Sequence, residues 1–218
     1  MVKQSWKEKG FVDEPVDSSL DLKKEIRKLC QEKDAIILAH YYTTGDIQDI
    51  ADFVGDSLAL ARKAAEADAK VMVMCGVHFM AETCKLLSPD KTVLCPDLTA
   101  GCSLADSCKA ADLKAFKAEH PGYQVVSYVN TTAAVKALTD CVVTSGNAKK
   151  VIDSFPADAK IIFGPDYNLG SYINSVTGRS MLLWNGGCHV HEKFSVSEIV
   201  KLKAEHPEAV VMAHLECK

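Results

Sequence analysis

Short apolar runs alternate with helix-like stretches along the whole chain. The runs are AIILAHY (35–41), KVMVMCG (70–76), TVLCP (92–96), QVVSYVN (124–130), CVVTS (141–145), KIIFGP (160–165), MLLWNG (181–186) and AVVMAH (209–214). Each has the length of a buried strand and is apolar throughout rather than alternating. ADFVGD (51–56) has room for one more short strand. Helical spacing of apolar positions marks SLALARKAAEA (57–67), HFMAETCKLLS (78–88), ADLKAFKAEH (111–120), NAKKVIDSF (147–155) and SVSEIVKLKAEH (195–206). Strand, helix, strand in this order predicts an α/β fold of parallel sheets with right-handed crossovers.

The pattern repeats. KAEHP occurs at 117–121 and again at 203–207. The run at 35 ends in His40 to Tyr42, the run at 124 in Tyr128 to Asn130, and the run at 209 in His214 to Glu216. The steps are 88 residues (42 to 130) and 86 residues (130 to 216). Ser57 and Ser145 stand 88 apart, and Cys102 and Cys188, each of which follows glycine in a loop beyond a strand, stand 86 apart. A period this long marks a copied small domain, not a solenoid. The expected organisation is a polar arm (1–21), one three-layer parallel-sheet repeat (22–108), a second (109–195) and the opening of a third (196–218). A helix and one strand do not complete a sheet, so a longer pseudo-threefold protein is expected, or a face completed by another chain. The third copy of the loop cysteine would fall near position 274 (86 beyond 188).

Composition adds limits. Of 218 residues, 48% are hydrophobic and 25% charged, the balance of an ordinary globular protein. A net charge of −4 favours neither nucleic acid nor a membrane surface as a partner. The N-terminal stretch has no apolar segment of the secretory kind. Nine cysteines without such a segment point to a reducing, cytoplasmic setting, where thiols serve as core residues, metal ligands or nucleophiles.

Ligands of parallel sheets collect beyond the carboxyl ends of strands. His40, Tyr42, Tyr128, Asn130, His214 and Glu216 are all expected there, either as structural hydrogen-bonders or as a convergent site. Ser57 and Ser145 stand near predicted helix starts, as N-caps or as anion-holding groups. Cys75, Cys95 and Cys141 fall in apolar runs, and Cys30, Cys84 and Cys108 in helical patterns, where burial accounts for them. Cys102 and Cys188 differ, because the glycine before each lets backbone approach a bound group. Matched thiolates suit zinc or an iron–sulfur cluster. Zinc sites usually use close pairs, and Cys188-x2-His191 is the nearest approach to one. Three widely spaced cysteines suit a [4Fe–4S] cluster with one iron open as a Lewis acid. Two other readings stand beside this one. One is a zinc-dependent hydrolase built on Cys188, His189, His191 and His214. The other is a non-catalytic α/β small-molecule binding module with buried cysteines.

AHYY, GDSLALA, FMAET, SYVN, VVTSGNA, GGCHVHEKF and a final H-x-E-C resemble the quinolinate synthase family. The resemblance runs from about Ala35 to Cys217. It implies three homologous α/β domains about a pseudo-threefold axis and a central [4Fe–4S] cluster. It implies condensation of iminoaspartate with dihydroxyacetone phosphate to quinolinate in de novo NAD biosynthesis. It also implies a transient contact with the enzyme that supplies iminoaspartate. Cys102 and Cys188 would be two of three cluster ligands. Tyr42, His191, His214 and Glu216 would serve in acid–base steps; His40, Ser57, Tyr128, Asn130 and Ser145 would bind substrate. Leu215 stands where the family motif usually has proline.

Overall fold

The computed structural model describes residues 6–217. The chain divides between Cys102 and Ser103 into two compact units. The first holds strands β1 (Ala35–His40), β2 (Phe53–Gly55), β3 (Val71–Cys75) and β4 (Thr92–Leu94). The second holds β5 (Gln124–Tyr128), β6 (Cys141–Val143), β7 (Ile161–Gly164) and β8 (Leu182–Leu183). Every pairing within these two sheets is parallel. The strand orders are β2-β1-β3-β4 and β6-β5-β7-β8, so the two sheets have one topology.

The likeness extends to single hydrogen bonds. In the first unit the Ile37 N–H donates to Asp52 Oδ2 at 2.7 Å. In the second the Val125 N–H donates to Asp140 Oδ2 at the same 2.7 Å. Each aspartate returns its own N–H, to the Ile37 carbonyl at 2.8 Å and the Val125 carbonyl at 2.9 Å. A short side chain thus continues the parallel ladder one residue before β2 and before β6. The paired residues stand 88 apart (37 to 125, 52 to 140), the interval found in the strand-end residues.

Several helices between the strands start on a side-chain cap and bury an apolar face. Asp56 accepts from the Leu58 and Ala59 N–H groups at 3.0 and 2.8 Å, opening the helix Ser57–Glu66. Ser57 is therefore the first helical residue and not the cap that its position suggested. Ser145 precedes the helix Ala148–Ser154, whose cap position belongs to Asn147. The sequence pattern missed the helix Leu22–Lys33, capped by Asp21, and the helix Tyr167–Thr177. Among the described residues no helix is long and apolar enough to cross a membrane.

The cysteines separate by burial. Cys84 and Cys108 are buried; Cys30, Cys75, Cys95 and Cys141 are only partly covered. Cys108 follows the short helix Ser103–Asp106 and is not itself helical. It packs with Leu113, Val125, Val135 and Ile162, and burial pushes its thiol up to about 11. Cys84, in the helix His78–Leu87, is pushed up to about 12 for the same reason.

The helix expected at 195–206 forms, as Val196–Glu205. It ends on His206 with φ −128° and ψ 71°, nearly matching His120 (−124°, 67°) after the helix Ala110–Glu119. KAEHP is thus a repeated helix ending. The strand expected at 209–214 does not form. A strand acquires its ladder only from a neighbour, and these residues pair with none of the described residues. Val210 and Met212 remain 87% and 92% exposed.

Candidate active site

In the β6-β5-β7-β8 order, chain direction around the sheet reverses between β5 and β7, where such sheets bind ligands. Tyr128 ends β5 and is buried. Beyond β7, a cis Gly164–Pro165 bond leads to Asp166, which is fully buried. Asp166 caps the helix Tyr167–Thr177: its Oδ1 accepts from the Leu169 N–H at 2.6 Å. Its Oδ2 is buried without a hydrogen-bond partner.

Two further segments close on this place. The first follows β8. The Gly186 carbonyl accepts from the Tyr167 N–H at 2.8 Å, which anchors the loop to β7's exit. The chain then runs through Cys188 into a 3-10 turn, His191–Lys193. The Glu192 N–H donates to the Cys188 carbonyl at 3.0 Å and turns His191 back beside Cys188. The second segment is His214 to Cys217, a turn closed by the Cys217 N–H on the His214 carbonyl at 3.0 Å. Asn168 Nδ2 donates to the Glu216 carbonyl at 3.1 Å. That bond fixes the turn against the first turn of the Tyr167–Thr177 helix.

The Glu216 carboxylate lies at the centre of the site. Glu216 is 1% exposed. Its Oε2 lies 3.0 Å from His191 Nδ1, and its Oε1 lies 3.4 Å from His214 Nδ1. Its side chain also lies beside the Tyr128 side chain, which has Ser145 as a further neighbour. The His191 and His214 rings stack, with centroids 4.9 Å apart and planes 8° from parallel. His214 Nδ1 accepts from the Glu216 N–H at 3.3 Å, so that nitrogen offers Glu216 Oε1 no proton. Glu216 Oε1 and His191 Nδ1 are buried without hydrogen-bond partners, the 3.0 Å approach being misaligned for one. Ligand atoms of Cys188, His191 and Glu216 all lie within 4.8 Å of one another.

The surroundings set protonation. Burial, then the Glu216 charge, holds the Tyr128 phenol far above its ordinary range, so it is a neutral donor at physiological pH. Burial, seconded by Glu216, raises Asp166 to about 6 despite the opposing bond from Leu169. A carboxyl raised on folding favours the folded state in its protonated form. That contribution is complete below its unfolded value of 3.8 and is lost as pH rises through about 6. Without added metal, stability should fall by on the order of 2 kcal/mol across this window. Asp166→Asn, which keeps a capping oxygen, should remove the fall. Urea unfolding of both proteins at about pH 4.5 and about pH 7.5 checks this; an equal loss in both would contradict it.

The second unit therefore brings Tyr128, Ser145, Cys188, His191, His214 and Glu216 together. Asn130 lies half-buried two residues past β5. His189 goes elsewhere: its Nδ1 is 2.5 Å from Ser103 Oγ. The glycine before Cys188 is not open for a ligand, because the chain itself fills the space beside Gly186 and Gly187. The first unit carries His40, Tyr42, Ser57 and Cys102. His40 ends β1, as expected, and its Nδ1 accepts from the Tyr42 N–H at 3.2 Å. Burial lowers the His40 pKa, which favours the neutral ring. Tyr42 packs edge-on to that ring at 4.6 Å, yet is 85% exposed. The residues missed from sequence are Asp166 and Asn168. A P-D pair after an apolar run, followed by N-L-G, is the helix-start signal that marks them.

A family model described as quinolinate synthetase A protein matches residues 24–218. The chain belongs to that family. It is 58% identical over 198 residues to the quinolinate synthase of Trichodesmium erythraeum, covering 91% of this chain and 61% of that protein. It is 55% identical over 205 residues to the quinolinate synthase of a Nostoc species, covering 94% and 63%. The quinolinate synthase of Chloroherpeton thalassium is 54% identical over 206 residues, covering 94% and 64%. The chain thus spans 61–64% of the length of these quinolinate synthases.

Proposed function

We propose that this chain carries the first two repeats of a quinolinate synthase, which joins iminoaspartate to dihydroxyacetone phosphate in the cytoplasm. The observation that carries the reading is the buried Glu216 carboxylate, touched by Tyr128 and two histidines and keeping one oxygen unpartnered. A condensation that enolises one partner and expels water needs groups that take and return protons near neutral pH. Glu216 and His191 supply acceptors; Tyr128 supplies a neutral donor steadied by Ser145. His214 keeps Glu216 in place through its backbone N–H. His40, Tyr42, Ser57 and Asn130 are substrate-facing in this proposal, with Tyr42 a further acid–base group.

A half-buried thiol beside two unpartnered buried acceptors suits a metal centre. Cys188 and, from the first unit, Cys102 would hold a [4Fe–4S] cluster. When bound, it would supply Lewis acidity toward a substrate carboxylate or hydroxyl. The test is iron and sulfide analysis of the gene's complete product, purified without oxygen, beside Cys102→Ala and Cys188→Ala. The expected result is a brown protein forming quinolinate, with colour and turnover lost in both variants. A colourless, iron-free wild type would overturn the proposal.

A further inference from the structure

We propose that, when no cluster is present, the second unit holds one divalent cation of the zinc type on Cys188 Sγ, His191 Nδ1 and the Glu216 carboxylate. The site shares a residue with the proposed cluster but is a different centre with its own donors. One thiolate, one imidazole and one carboxylate match the sulfur, nitrogen and oxygen ligands that zinc accepts together. Cys188 and His191 come from a single turn, held by the Glu192 N–H on the Cys188 carbonyl. Glu216 comes from a distant segment, held by Asn168.

Two features point to an ion. His191 Nδ1 and Glu216 Oε2 stand 3.0 Å apart in an alignment that makes no hydrogen bond. Glu216, 1% exposed, also has Oε1 without a partner. Acceptors left unpaired in a buried site are costly, and a cation between them removes that cost. Zinc bonds of about 2.0–2.3 Å imply ligand atoms about 3.3–3.8 Å apart, so donors now within 4.8 Å need close by only about an ångström. The outer partners are in place as well. The Tyr128 side chain lies beside the Glu216 side chain, and the His214 ring lies flat on His191. Such supports orient ligands before the ion arrives. His214 is not a ligand through Nδ1, because that nitrogen accepts from the Glu216 N–H. His189 is not a ligand through Nδ1, because that nitrogen pairs with Ser103 Oγ. The fourth position is left to water.

Occupancy has a consequence. Zinc on Cys188 withholds that thiolate from iron, so the two centres exclude each other. The chain, stripped with chelator under reducing conditions, is titrated with Co2+ and then with Zn2+. One equivalent of Co2+ should bind with a thiolate-to-cobalt absorption band, and Zn2+ should abolish the band stoichiometrically. Cys188→Ala should remove the band; His191→Ala and Glu216→Gln should each weaken binding at least about tenfold. His189→Ala and Cys102→Ala should leave it unchanged. The unaltered chain gives the first reading, so a variant that fails to fold does not spoil the test. Cobalt binding without a thiolate band, no binding, or an equal loss in Cys102→Ala would overturn the proposal. Loss of iron from Cys102→Ala with zinc binding intact separates this site from the cluster.

Discussion

Replacing Gly186 with alanine should destabilise the second unit by more than about 3 kcal/mol. A Cβ at this position would lie 2.3 Å from Ser107 Oγ and 2.5 Å from the Pro165 carbonyl oxygen. The serine cannot simply step aside, since its hydroxyl donates to the Leu104 carbonyl at 2.7 Å. The serine carbonyl also accepts from Trp184 Nε1 at 3.0 Å. The Pro165 oxygen is backbone next to Asp166. Relief therefore requires the loop to move, which breaks the 2.8 Å bond from the Tyr167 N–H to the Gly186 carbonyl. Cys188 moves with it, so metal binding should weaken alongside stability. Gly187→Ala is the control, because its Cβ would meet only the Glu192 side chain, the nearest atom being Oε1 at 2.8 Å. A melting point about 6–12 °C lower for Gly186→Ala, with a smaller loss for Gly187→Ala, is the expected result. Equal melting points for wild type and Gly186→Ala would show that the close approach is not what fixes the loop.

Periodicity revealed the sheets because buried parallel strands are continuous apolar runs, and β1 to β8 fall on the runs expected. The 88-residue interval was legible too, since copied residues keep their spacing, and the matched Asp52 and Asp140 bonds show it reaching individual atoms. What pattern could not supply was pairing. AVVMAH has the composition of a strand, but composition does not provide a neighbour. Helix Tyr167–Thr177 escaped notice because its sequence, YNLGSYINSVT, is rich in residues of middling helix propensity. It stands on the Asp166 cap and on burial of Leu169 and Ile173. In the site, the repeat matched Tyr128 to His214 and Asn130 to Glu216, and strand-end position singled out Tyr128 and Glu216. Direct contact between their side chains is a tertiary fact. So is the role of Asp166, whose burial comes from residues distant in sequence.

Glu216→Gln in the gene's complete product should lower kcat at least about 100-fold while leaving the melting point unchanged or higher. The two halves of this expectation have one cause. Glutamine keeps the shape of glutamate and the backbone carbonyl that Asn168 holds. Its amide offers N–H donors where the carboxylate offers none, within reach of His191 Nδ1. His191 Nδ1, now buried without a partner, would gain a donor, and the Asp166 carboxyl would lose a nearby negative charge. Folding is helped by each change. Proton transfer is not, because an amide cannot serve as the proton acceptor that the carboxylate is proposed to be. Steady-state turnover with both substrates, measured beside calorimetric melting and iron content, reads all three consequences. Iron content should persist, as both proposed cysteine ligands remain. Turnover within about threefold of wild type would remove Glu216 from the chemistry and leave its buried, half-satisfied carboxylate a purely structural feature.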